Sequence, residues 1–268
     1  MSSLRDRLHV KVYLFRLEGE GLDRFLASGF NPEICLDALD LDGTDAAAFS
    51  RVAEALAAHG RSCTVHAPFL DLAPWSLDPA VRALTRQRLE QTLTVAAILR
   101  PRTVVCHAGF EARRHVYFLE QWLERSAEVW AWFAARVYEA GARLMLENVY
   151  ERGPEVLRSL LDRLDPRQAG FCLDVGHQAL YSRVPVGEWV DALGDRLGQV
   201  HLHDNEGMLD DHLALGQGSI DFTALFAELA RASEPLAATL EMDYETSAPQ
   251  SVSFVERRWP WRGTGGPP

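Results

Sequence analysis

Lysine is almost missing from this chain: of its 27 basic residues only Lys11 is a lysine. Schiff-base chemistry and a phosphate-loop lysine therefore have one candidate, and it lies in no Gly-rich loop. Cysteine is scarce too. Cys35, Cys63, Cys106 and Cys172 form no CxxC pair, and each sits in or beside an apolar segment, the pattern of buried free thiols in a reducing compartment. The opening residues, MSSLRDRLHV, lack the apolar stretch of a signal peptide. No apolar run approaches the ~18 residues of a membrane span, so a cytoplasmic location without membrane contact is expected. Positive charge is in deficit, with 27 Lys+Arg against 38 Asp+Glu and a net charge of −11. That balance argues against a broad electropositive face for DNA or anionic lipid.

What is present is a regular alternation. Short apolar runs (His9–Phe15, Glu33–Leu36, Ser62–His66, Thr103–His107, Arg143–Glu147, Gly170–Asp174, Gln199–His203, Ala238–Met242) read as strands. Segments of helical period lie between them: Gly21–Ala27, Ala46–Ala58, Ala80–Leu99, Val116–Ala140, Glu155–Leu164, Val186–Leu197 and Asp221–Ala230. Stripes of Val81, Leu84, Leu89 and Leu93, and of Phe118, Trp122, Trp130, Phe133 and Val137, read as core-facing packing. Eight strand–helix units without an internal linker predict an α/β fold, a single (β/α)₈ TIM barrel over residues 1–247 with a degenerate last helix. Residues 248–268, rich in Pro, Gly and Arg, read as an irregular tail. No GxGxxG follows the first strand, which weakens the doubly wound alternative.

The strand ends carry the chemistry. SCTVHA ends in His66, TVVCHAG in His107, LMLEN in Glu147, GFCLDVGH in Asp174 with His177, QVHLHDN in His201 and His203, and LEMD in Glu241. In a parallel barrel the C-terminal strand ends converge on one mouth. One such residue would read as a satisfied core histidine; six consecutive strands ending this way do not. Carboxylates and imidazoles without cysteine suit a divalent cation such as Zn²⁺, Mn²⁺ or Fe²⁺. Strand alternation sends Cys106 to the barrel–helix layer and His107 to the lumen, and places His201 and His203 on one face. A second group follows in DNEGMLDDHLALGQGSIDF, where Asp210 and His212 are two apart. Gly216 and Gly218 read as a tight turn before a helix capped by Asp221, with a phosphate cradle as the weaker reading.

At VHAPF, VVCHAGF, LMLENVY, GFCLDVGHQ, VHLHDN, DDHLALGQGSIDF and LEMD the chain resembles the xylose isomerase-like barrel superfamily. That superfamily joins sugar and sugar-phosphate isomerases/epimerases with endonuclease IV-type AP endonucleases (AP endonuclease family 2). The resemblance implies an epimerase-type metal site at Glu147, Asp174, His201 and Glu241, with His177 touching substrate. It also implies the nine-ligand, three-metal set of endonuclease IV: His66, His107, Glu147, Asp174, His177, His201, Asp210, His212 and Glu241. Gly207 stands where tagatose-epimerase-like members carry arginine, against a ketohexose 3-epimerase. DNEGML is short and not basic, against a DNA-gripping loop; Arg113 and Arg114 are the best candidates for a phosphate contact.

Two mechanisms fit. In an isomerase or epimerase acting on a sugar or sugar phosphate, Glu147 and Glu241 exchange a proton with the substrate carbon beside a metal-bound carbonyl and hydroxyl. His177, Phe69 and Trp75 are the expected substrate contacts, with loop packing as the equal reading of the two aromatics, and His203 is read as a further substrate contact, a metal ligand or a support for one. In a phosphodiester hydrolase the same mouth holds up to three ions. The first is the preferred expectation, with one to three divalent ions and a small-molecule substrate. Nucleic acid is not expected as a partner, and a homo-oligomer is left open.

Overall fold

The protein is described by a computed structural model over residues 4–261. A short helix α1 (Leu4–Arg7) leads into eight strands: β1 (Leu8–Tyr13), β2 (Asn31–Cys35), β3 (Thr64–His66), β4 (Thr103–His107), β5 (Arg143–Glu147), β6 (Ala169–Asp174), β7 (Leu197–Leu202) and β8 (Ala237–Leu240). Each pairs in parallel with the next, and β8 pairs with β1 to close the barrel. Around it run α2 (Glu20–Ser28), α3 (Ala38–Gly43), α4 (Ala46–Ala58), α5 (Pro79–Leu99), α6 (Ala112–His115) and α7 (Leu119–Glu139). The second half adds α8 (Glu155–Leu161), α9 (Val175–Tyr181), α10 (Val186–Leu193), α11 (Phe222–Leu229) and α12 (Ala248–Arg258). No helix among the described residues is long and apolar enough to cross a membrane.

Helix starts follow from local chemistry. Asp45, Asp78 and Asp221 accept hydrogen bonds from the first free amides of α4, α5 and α11, and Pro79 opens α5 where no amide partner is needed. The apolar side chains divide into two layers. The larger core lies between strands and helices and contains Cys106; Val105, Met145 and Cys172 form a separate cluster. Period-two alternation accounts for the division, since Val105 and Cys106 point to opposite faces of one strand. All four cysteines are buried and free.

Three expectations need correction. The stripe on α5 is displaced: Leu84 is 45% exposed, and the buried face is Thr85, Leu89, Thr92, Val95, Ala96 and Leu99. Phe118 is likewise exposed and precedes α7. The last helix is not degenerate, nor is the segment from residue 248 irregular. Pro249 sits in the first turn of α12, where proline is compatible with a helix. Ala248, Ser251, Val252 and Val255 form its buried face, and Trp259 and Trp261 are buried just beyond it. Residues 262–268 lie outside the described residues.

Two stability tests follow. Trp259 is buried and donates its indole N–H to Glu234 at 3.0 Å; Trp259→Ala should lower unfolding free energy by about 3–5 kcal/mol in urea titration, and a change within 0.5 kcal/mol would show that this end of the chain is not part of the core. At the base of the lumen, burial pushes His9 from 6.5 down to about 4, against the opposing pull of Glu33 and the Arg7 carbonyl. The fold thus selects neutral His9, whose contribution is present above pH 6.5 and lost as pH falls toward 4. His9→Asn should flatten this acid limb by up to about 1.4 kcal/mol per pH unit; parallel limbs would count against it.

Candidate metal centre

The closed barrel brings together the polar strand ends. His107 is the register partner of Glu147 across β4 and β5, and Asp174 of His201 across β6 and β7. Glu241 directly follows β8, and Asp174 is also the N-cap of α9, accepting the His177 amide at 2.7 Å. Thus Asp174 turns the chain and positions His177 with one carboxylate. Asp210 and His212 arrive from the loop after β7, and His212 adopts φ +50° to do so.

Glu147 is the hub. Its Oε2 lies 3.2 Å from His66 Nε2, 3.8 Å from His107 Nε2 and 3.4 Å from His201 Nδ1, while Oε1 is 3.2 Å from His177 Nδ1. Asp174 reaches His203 Nε2 at 3.2 Å and His201 Nδ1 at 3.9 Å. Asp210 Oδ2 lies 3.3 Å from His177 Nε2 and 3.1 Å from His212 Nε2. Glu241 Oε1 lies 3.0 Å from His201 Nδ1. Several of these sets, among them His66–His107–Glu147 and Glu147–Asp174–His177, bring their ligand atoms within 4.8 Å of one another. All nine residues named from the resemblance occupy one contiguous layer.

The imidazoles are oriented from behind. His66 Nδ1 is 2.8 Å from the Ala67 carbonyl, His177 Nδ1 3.0 Å from that of Asn148, and His212 Nδ1 2.6 Å from that of Glu241. Donation at Nδ1 leaves each Nε2 facing the carboxylates, where it can ligate a metal once its proton is lost. His201 is reversed. Its Nε2 faces Glu33 Oε1 at 3.1 Å, and its buried Nδ1 stands among carboxylate oxygens with no hydrogen-bond partner. Such an atom is costly to bury unless something coordinates it. The donor set of carboxylate oxygen and imidazole nitrogen therefore fits a divalent cation.

Glu33 is itself held in place. Its Oε2 accepts from Thr64 at 2.7 Å, Gln199 at 2.6 Å and Thr239 at 2.9 Å, and Gln199 accepts in turn from Thr103 at 2.5 Å. This polar layer lies in the lumen directly under the imidazoles. Electrostatics matches the geometry. Burial opposes ionisation of Glu147, but His201 and His107 outweigh it and hold the carboxyl well below the ordinary range. Burial likewise opposes charging of His177, yet Asp174, Asp210 and Glu147 hold it well above the usual value. His177 and His201, both held above the ordinary range, face the carboxylates as charged partners, whereas burial pushes His107 down to about 3; a cation would displace the protons of the first two.

The expected substrate contacts separate on inspection. Phe69 is 43% exposed and stacks on His107 at 4.1 Å, at the mouth. Trp75 lines the same cavity but is half-buried against Trp122 and His115. Its ring fills the space a side chain at Gly109 would need, with that Cβ only 2.1 Å away. His203 has no accessible surface; it stacks on His212 at 4.1 Å and binds Asp174, so the expectation of a substrate contact gives way to one of holding Asp174 and His212. The phosphate cradle at Gly216 and Gly218 is also excluded, because their amides both donate to buried Asp204 at 2.9 Å. Arg114 pairs with Glu111 at 3.1 Å. Two residues were overlooked in the sequence. Lys11 reaches Glu241 Oε2 at 3.3 Å and lines the mouth, and Glu33 supports His201. Both interrupt otherwise apolar strands at lumen-facing positions, which is the signal that marks them.

A cavity of about 830 Å³ opens over this layer, a size suited to a small molecule. Residues 28–258 match the family described as xylose isomerase-like TIM barrel, and the chain belongs to it. The TTHB071 protein from Thermus thermophilus, whose crystals were soaked with ZnCl₂, is 31% identical at a TM-score of 0.79, over 94% of this chain and 97% of that one. A D-tagatose 3-epimerase-like protein shares the fold at a TM-score of 0.80 with 22% identity, over 94% of this chain and 97% of that one. Probable endonuclease 4 of Mycobacterium leprae is 29% identical over 196 residues, 69% of this chain and 75% of that protein. Two uncharacterized Methanocaldococcus jannaschii proteins, MJ1311 and MJ1614, are 29% and 25% identical over 62% and 63% of this chain; the matches span 59% and 66% of their own lengths.

Glu33→Gln should weaken zinc binding about 10–100-fold in competition with a chromophoric chelator, because the negative charge 3.1 Å from His201 Nε2 would be lost. Unchanged affinity would show that Glu33 does not orient His201.

Proposed function

We propose that this chain is a divalent-metal-dependent isomerase or epimerase acting on a small sugar or sugar phosphate. The observation that carries the reading is that Glu147 and Glu241, from strand ends three places apart in the barrel wall, converge on His201 Nδ1 at 3.4 and 3.0 Å beneath a small-molecule cavity. A pair of carboxylates around one point can take a proton from a substrate carbon and return one to it. Glu147, Asp174, His201 and Glu241 would hold the principal ion, which supplies Lewis-acid stabilisation of the oxyanion formed when the neighbouring carbon is deprotonated. His177, between Glu147 and Asp210, would orient a substrate hydroxyl. Phe69 would cover the sugar face and help to exclude water. The sugar-epimerase neighbours support this reading at the level of the fold.

A second reading rests on a different observation. His66, His107, Asp210 and His212 are more ligands than one ion needs, and they join the central group through shared carboxylates. That array would suit a multinuclear phosphoester hydrolase. The likeness to a probable endonuclease 4 agrees with it. Duplex DNA is the weaker substrate, since Arg88 and Arg114 at the mouth are already paired with Asp42 and Glu111.

Solvent deuterium incorporation into a panel of ketoses and ketose phosphates, with zinc or manganese supplied, separates the two. The expected result is exchange that falls about 10²–10⁴-fold in both Glu147→Gln and Glu241→Gln. No exchange, together with abasic-duplex cleavage abolished by Asp210→Ala, would overturn the isomerase reading in favour of the hydrolase.

A further inference from the structure

We propose that Lys11 is an anion-anchoring residue, so that the substrate of this site carries a negatively charged group, a phosphate ester or a sugar carboxylate, and is not a neutral ketose. This deepens the reading above and rests on it. Three cations line the mouth besides the histidines, and two of them pair with carboxylates outside the ligand layer. Arg88 is held by Asp42 through both terminal nitrogens, and Arg114 pairs with Glu111. Lys11 alone of the three touches the ligand layer. It sits mid-way along β1, whose closure onto β8 pairs Val10 with Leu240 and so sets Lys11 beside Glu241.

Glu241 divides its two oxygens. Oε1 faces His201 Nδ1 at 3.0 Å, and Oε2 faces Lys11 Nζ at 3.3 Å. The ammonium is therefore one carboxylate away from the imidazole nitrogen that lacks a hydrogen-bond partner. An ammonium has three N–H donors, and Glu241 is its one hydrogen-bond or ion-pair partner among the described residues. The side chain stays 23% accessible and borders the cavity with Tyr13 and Cys35. N–H donors are thus left for an oxygen arriving from the mouth.

Charge supplies the second argument. Glu33, Glu147, Asp174, Asp210 and Glu241 put five carboxylates in or under one layer of a chain whose net charge is −11. An anionic substrate entering that field needs local positive charge to be held at all. Divalent ions would supply part of it. A lysine built into the wall beside them supplies a fixed charge that a neutral sugar would not require and that an anion would meet with a charge-assisted hydrogen bond.

That this is the sole lysine makes the proposal directly readable. Reductive ¹³C-methylation labels Lys11 and the α-amino group, and the two dimethylamine signals resolve by NMR. The zinc-loaded full chain is titrated with inorganic phosphate and, separately, with acetate, while calorimetry gives affinities for the unlabelled protein. The expected result is a saturable shift of the Lys11 signal, phosphate or acetate binding about 10–100-fold weaker in Lys11→Met, and recovery in Lys11→Arg, with zinc stoichiometry equal in all three chains. Tighter phosphate would point to a phosphate ester, and tighter acetate to a sugar acid. Anion affinity unchanged in Lys11→Met, or a Lys11 signal that stays still while anion saturates, would overturn the proposal yet leave the metal reading standing. A wild-type chain that binds no zinc would overturn the metal reading and this one with it.

Discussion

The Glu147 carboxylate among four imidazoles is the contact on which the rest of the molecule is arranged. It is buried, and its oxygens lie within 4 Å of His66, His107, His177 and His201. A charge so placed is tolerable only if opposite charge and hydrogen bonds surround it. Each neighbour therefore needs its own anchor. Backbone carbonyls hold His66 and His177, Phe69 stacks on His107, and Glu33 and Gln199 flank His201 Nε2.

This explains why the barrel lumen is not simply apolar. Val105, Met145 and Cys172 form a small apolar cluster apart from the main core. Beside them Glu33, Thr64, Gln199 and Thr239 form a hydrogen-bonded layer beneath the mouth. Its hydrogen bonds fix which nitrogen of His201 faces the site. Near the mouth, Glu33 Oε1, His201 Nδ1 and His203 Nδ1 are buried without a hydrogen-bond partner. A fold that leaves donor atoms unpaired there, and pairs its neighbours so fully, is organised for something that binds there.

Much of this was legible beforehand. Strands β4 and β5 and helix α4 have the bounds their apolar patterns suggest. Seven of the nine candidate ligands stand at the end of an apolar strand or within three residues of it; Asp210 and His212, in the loop after β7, were named as ligands only by the resemblance. α12 was not legible, because Pro249 reads as a breaker until its place in the first turn is known. Nor was the displaced face of α5, where threonine and alanine, not Leu84, meet the barrel. Short α3 and α9 also escaped notice, being too brief for a periodic stripe.

The amino-acid sequence by itself determined the alternation: which side chains share a face of a strand is a consequence of covalent geometry with a period of two. It likewise determined the order of elements and the caps that start helices, since these involve neighbours a few residues apart. Only closure of the barrel decided that Lys11 meets Glu241, that Glu33 stands under His201, and that His203 is spent on Asp174 and His212. Those pairs are separated by 230, 168, 29 and 9 residues. Local pattern carries no information about such separations; register around the closed sheet and the path of the loop after β7 do.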